Sequence, residues 1–169
     1  MRMTDLFLAE LEREAAGTRH ALERVPEGHN DWKPHEKSMA LGQLANLCAT
    51  MPSWIDVIVN TEELDIHPKN GDQPRPPQAT TRRELVAALD DAVAKARKAL
   101  QSTTDEHLLG DWKLLAGGRL MMQDARHIMI RDSVFNHLAH HRGQLTVYLR
   151  LNNEPVPAIY GPSADEGKM

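Results

Sequence analysis

Four stretches of the chain repeat apolar residues every three or four positions, with prolines or glycines breaking the chain between them. That period gathers apolar side chains on one face of a helix, and faces that must leave water make helices pack on one another. The first stretch starts at Thr4 and Asp5, both good N-cap types, carries Leu8, Leu11, Ala15, Leu22 and Val25, and stops at Pro26. The second, with Ser38 as its cap, has the stripe Leu44, Leu47, Met51, Ile55 and Ile58, and Pro52 is expected to kink it. The proline-rich stretch 70–78 reads as a loop. Thr81-Arg82-Arg83-Glu84 fits a capping box, and Leu85, Ala88, Leu89, Ala92, Ala96 and Leu100 form the third stripe. The fourth runs from Ala125 to about Leu151 through Ile130, Val134, His137, His141, Leu145 and Tyr148. Between His107 and Gln123 the pattern changes: Trp112, Leu114 and Leu115 lead to Gly117-Gly118, then Leu120, Met121 and Met122, which reads as a short hairpin or an irregular lid. A tail with Pro155, Pro157, Gly161 and Pro162 cannot continue a helix and should cross the surface. The expected fold is therefore all-α, four helices in one domain over residues 1–169.

Composition fits that reading. Apolar residues make up 41% and charged residues 26% of 169, so a core can form without staples, and with two Phe and two Tyr it must come from Leu, Ile, Val, Met and Ala. This is neither a disordered nor a membrane composition. A net charge of -4 and the lack of a Lys/Arg run argue against a grip on a phosphate backbone, so nucleic acid is not an expected partner. A single cysteine, Cys48, excludes an internal disulfide, and no charged-then-apolar leader opens at Met1, so the cytoplasm is the expected address.

Chemistry concentrates on the last stripe. His137 and His141 stand four residues apart, so their imidazoles leave the same side of a helix one turn apart, which is metal-ligand spacing. Zn or Ni needs neutral ring nitrogens converging at roughly 2.0–2.1 Å, and catalytic sites commonly use three protein ligands plus water. Two ligands do not complete such a site, and the same spacing also serves histidines that merely hydrogen-bond in a helical core.

The run Asn136-His137-Leu138-Ala139-His140-His141-Arg142-Gly143-Gln144-Leu145, with Tyr148-Leu149-Arg150 after it, resembles the last-helix signature of the DinB/YfiT-like family. The tail from Pro155 to Glu166 is similar to that of one branch of the family, and Lys37-Ser38-Met39, Leu41-Gly42-Gln43-Leu44-Ala45 and Pro52-Ser53-Trp54 resemble its second helix. The resemblance implies an up-and-down four-helix bundle, commonly a homodimer, with a divalent metal, Ni or Zn, held by one histidine of the second helix and two of the last. It implies a thiol-dependent transferase, hydrolase or isomerase activity on small electrophilic molecules. His137 and His141 take the two last-helix positions; the second-helix histidine falls on Leu47, which cannot ligate.

Three readings of Leu47 stay open: a degenerate site with His137 and His141 as core histidines, a replacement ligand among Cys48, His35, His127 and His140, or a weak two-histidine site completed by water or substrate. Helix geometry turns Cys48 about 100° away from Leu47 and places His127 almost three turns before His137. Cys48, among apolar neighbours, reads as an inert thiol. Arg142 and His140 are expected at the edge of the inward face, with Arg142 paired to a carboxylate or holding a substrate anion. Gln144 and Tyr148 read as core packing, as support for the histidines or as hydrogen-bond partners of a ligand, Trp54 as pocket or dimer wall, and Met121 and Met122 as gap fillers. The leading expectation is a family enzyme with an impaired or altered metal site; the alternative is a non-enzymatic dimeric bundle with a ligand-binding or structural role.

Overall fold

The structure, a computed structural model, describes residues 2–68 and 78–167. In chain order the elements are α1 (Met3–Leu22), α2 (Leu41–Thr50), α3 (Trp54–Asn60), β1 (Glu63–Asp65), α4 (Arg82–Ser102), α5 (Asp105–Leu109), β2 (Asp111–Ala116), β3 (Arg119–Ala125), α6 (Arg126–Ile130) and α7 (His137–Leu151). The expectation of an all-α four-helix bundle is overturned: β1, β2 and β3 form a three-stranded mixed sheet in that order, β1 parallel and β3 antiparallel to β2. Of the two options for 107–123, the hairpin is the one formed, turning on Gly117 and Gly118 at φ of +62° and +78°, where residues without a Cβ fit best. β1 had no signal of its own. It is three residues long, too short to show a period of two, and it exists because Glu63–Asp65 pairs with Lys113–Leu115, fifty residues along the chain. The Asp65 carboxylate accepts from the backbone N–H of Gly117 (2.9 Å) and Gly118 (2.7 Å), pinning the hairpin turn to β1; the His67 backbone N–H first, and then these two, hold the carboxyl below its ordinary range against its desolvation.

Helix boundaries also moved for local reasons. The expected caps Thr4 and Asp5 lie inside α1, because the backbone N–H groups of Met3 (2.9 Å) and Thr4 (3.2 Å) donate to Asp105, a cap that arrives from the far end of the chain. Ser38 does not cap α2; the helix starts after Ala40, whose N–H donates to the Gln43 side chain. Pro52 does more than kink: a 3-10 turn over Met51–Ser53 separates α2 from α3. The capping box at α4 forms as read, with Glu84 N–H donating to Thr81 Oγ1 (3.3 Å) and Thr81 N–H to Glu84 Oε2 (3.1 Å). The last expected helix is divided by a π-helical segment over Arg131–Asn136. The loop expected over 70–78 lies, apart from Gln78, outside the described residues.

The core is one apolar cluster to which α1, α2, α3, α4, α6 and α7 contribute, including Leu11, Leu44, Leu89, Ile130 and Leu145, with Phe7 stacked on Phe135 at 5.8 Å between ring centres. Cutting one of these leucines to Ala removes about 2–5 kcal/mol, the transfer and cavity terms together. On β2 Trp112 is buried, while β3 from Arg119 to Asp124 stays exposed. No helix among the described residues is long and apolar enough to cross a membrane.

Candidate functional site: a histidine-edged cavity

Between α3, the sheet and the π-helical segment lies a cavity of about 380 Å³. Its wall is hydrocarbon and indole from Trp54, Val57, Leu64, Trp112 and Leu114, and its polar groups, Asp132, Ser133 and His137, all come from the start of the last helical run. Sequence distance explains why α-helical reading missed Asp132: at about 100° per residue, five residues put Asp132 and His137 about 140° apart. The i→i+5 turn between them brings both to the cavity.

The wall is clamped by Arg126, which is buried and spends its guanidinium on the open end of α3, donating to the carbonyls of Ile58 (3.1 Å) and Thr61 (3.0 Å) and to that of Asp111 on β2 (2.6 Å). His107 donates to the Val59 carbonyl (2.8 Å), and Trp112 Nε1–H to Thr61 Oγ1 (3.1 Å). Nothing in the sequence marked Arg126, whose partners lie far along the chain.

His137 and His141 meet as their spacing predicts. Their Nε2 atoms are 2.8 Å apart, His141 Nδ1 lies 2.9 Å from Gln144 Oε1, and the Gln144 amide nitrogen donates to His140 Nε2 at 3.0 Å. With Gln144 accepting from His141 Nδ1–H, the His141 Nε2 lone pair is turned to His137, so one proton is shared between the two rings. His137 lines the cavity and is tilted 55° against Trp54 at 5.9 Å; His141 stands behind it, buried. Burial lowers the pKa of His137, neighbouring His141 and then His140 add to the fall, and the Ser133 carbonyl opposes it, so neutral imidazole is favoured near neutral pH.

Among the described residues neither a replacement ligand nor a metal-binding set comes together at the pair. Among the described residues no group of three His, Cys, Asp or Glu side chains is placed to hold a metal ion. His127 Nδ1–H donates to the Leu108 carbonyl, His35 Nδ1 accepts from Lys37 N–H in an exposed turn, and His140 is held by Gln144. Cys48 is fully buried and its thiol is pushed up to about 12 by that burial, so it is the inert group expected. Leu47 packs against the apolar cluster. The donor set therefore does not fit a three-ligand metal centre. Arg142 is not at an edge: it is buried outright, pairing with Glu14 (2.6 Å) and donating to Thr18 Oγ1 (3.0 Å) and the Glu14 carbonyl (3.0 Å), because the tail lays Tyr160 over it. Tyr148 is mostly buried and donates to the Met39 carbonyl. Met122 lines the cavity; Met121 is exposed.

The fold thus joins helices to a small mixed sheet, with an apolar cavity edged by His137 of the histidine pair. The chain belongs to the DinB family, whose sequence model matches residues 1–168. Its fold is similar to that of a DinB-like protein from Bacillus cereus (22% identity, TM-score 0.68, covering 91% of this chain and 95% of that one) and one from Bacillus subtilis (17% identity, TM-score 0.66, covering 89% and 94%). No curated protein matches this sequence.

Proposed function

We propose that this DinB-family chain acts on a small, largely apolar electrophile held in the cavity, with the metal chemistry of its relatives impaired and the His137–His141 pair serving as proton acceptor. The cavity edged by His137 supports this reading most: it has the volume and the apolar wall of a small-molecule site and a neutral imidazole at its rim. A thiol entering the cavity would lose its proton to His137 Nδ1, the ring nitrogen that does not face His141, as the His137 Nε2–H proton shifts toward His141 Nε2 across the 2.8 Å contact and Gln144 accepts from His141 Nδ1–H. The thiolate sulfur would then form a bond to the electrophilic carbon as the leaving group departs with its electron pair, and the proton would pass from the pair to water.

Elemental mass spectrometry on tag-free protein is the test, run beside consumption of benzyl chloride by a panel of low-molecular-weight thiols with and without chelator. The reading expects well under one metal per chain and thiol consumption that survives chelation but falls in His137→Ala. One tightly held metal per chain, or activity removed by chelator, overturns it. That no third ligand joins His137 and His141 among the described residues favours a second reading, a ligand-binding domain without turnover. Cavity binding that is intact in His137→Ala, with no thiol consumption in the wild type, selects it.

A further inference from the structure

The polar rim of the cavity is unequal in sign. Asp132 is its one charged residue, and no Lys or Arg lines the cavity among the described residues. The Asp132 carboxylate stands in none of the ion pairs formed by the described residues. One of its oxygens accepts from the Asn136 amide at 3.0 Å, which fixes the carboxylate on the helix, while no donor among the described residues reaches the other. Two indoles, Trp54 and Trp112, stand in the same wall. The Trp112 N–H is already taken by Thr61, so this residue offers the cavity ring surface rather than a donor.

Resting on the cavity being the ligand site, we propose that it selects an organic cation: a molecule with a compact apolar body and an ammonium group, the body against the indoles and Leu114 and the charge at Asp132. An unpaired carboxylate beside indole surface attracts a cation twice, by direct charge and through the negative face of the ring. An anionic group would meet Asp132 with nothing in the described wall to balance it. A neutral body fills the same space and leaves the carboxylate to water, so it gains burial and no more.

Three probes of one shape decide the matter: benzyltrimethylammonium, its neutral isostere neopentylbenzene and the anion benzylsulfonate, titrated by tryptophan fluorescence into the full chain and into Asp132→Asn. Because Asp132 is exposed, the variant should fold as the wild type does, which its unfolding midpoint checks. The expected result is that the ammonium binds well above the sulfonate. In Asp132→Asn the ammonium should weaken about tenfold, the equivalent of about 1.4 kcal/mol, with neopentylbenzene unchanged. Equal binding of ammonium and sulfonate, or an ammonium affinity indifferent to Asp132→Asn, overturns the proposal. Neopentylbenzene binding alone overturns the cation preference and leaves the cavity as the ligand site; failure of all three probes overturns both.

Discussion

Two sides of the last helical run, the π-helical segment with α7, treat polar groups in opposite ways. On one side Arg142 is buried with every nearby partner in place: the Glu14 carboxylate, the Glu14 carbonyl, Thr18 and the Tyr160 hydroxyl, which itself donates to Glu14 at 2.7 Å. On the other, His137, Ser133 and Asp132 face a cavity that offers them hydrocarbon and indole. A buried charge that is fully answered is a fastener, here strapping the tail across α1 and α7. Asp132 and His137 are held only by neighbours on their own helical run, Asn136 and His141, and edge an apolar cavity, and that contrast marks the second side as the candidate site.

Breaking the fastener should have the largest effect. Glu14→Ala leaves Arg142 buried without its counter-charge and should cost about 3–5 kcal/mol, read as a fall in the urea midpoint; a loss under 1 kcal/mol would mean that Arg142 finds water and that the two sides differ less than argued. Next comes an attempt to complete the other side. Leu47→His should gain Ni or Zn and be stabilised by about 2.7 kcal/mol at a metal concentration 100 times its dissociation constant, while the wild type shifts less. An equal thermal shift in both proteins would return the metal to the native site. Tyr160→Phe removes one hydroxyl from the fastener and should cost about 1 kcal/mol, loosening the tail to proteolysis before the core.

The smallest effect is the pH dependence of the cavity side. Burial holds the His137 pKa below its ordinary value of 6.5, so the unfolded chain takes up the proton first as pH falls. The resulting stability is complete above the ordinary value and erodes as pH drops through it toward the lowered one. Unfolding midpoints at pH 7.5 and 5.5 should therefore differ more in the wild type than in His137→Gln. Exposure of part of the ring keeps that difference small.

The helical stripes, the capping box at Thr81 and the meeting of His137 with His141 were legible because each is written within one helix, where a period of 3.6 ties neighbours in sequence to neighbours in space. The inert Cys48 was legible too, from its apolar neighbours. Asp132 was not: a charge on an exposed helix position looks solvated until a π turn realigns it with His137. Nor was Arg126, since its acceptors are backbone carbonyls on α3 and β2 that only the folded chain brings near.

What the sequence determined by itself is which stretches turn helical, that Pro52 interrupts one of them, and that the last carries a histidine pair on one face. Tertiary structure alone decided that β1 joins the hairpin in a sheet, that Asp105 begins α1, that Arg142 is a fastener, and that a cavity opens at His137. Each of these depends on groups far apart in the chain, and their pairing leaves no local period to read.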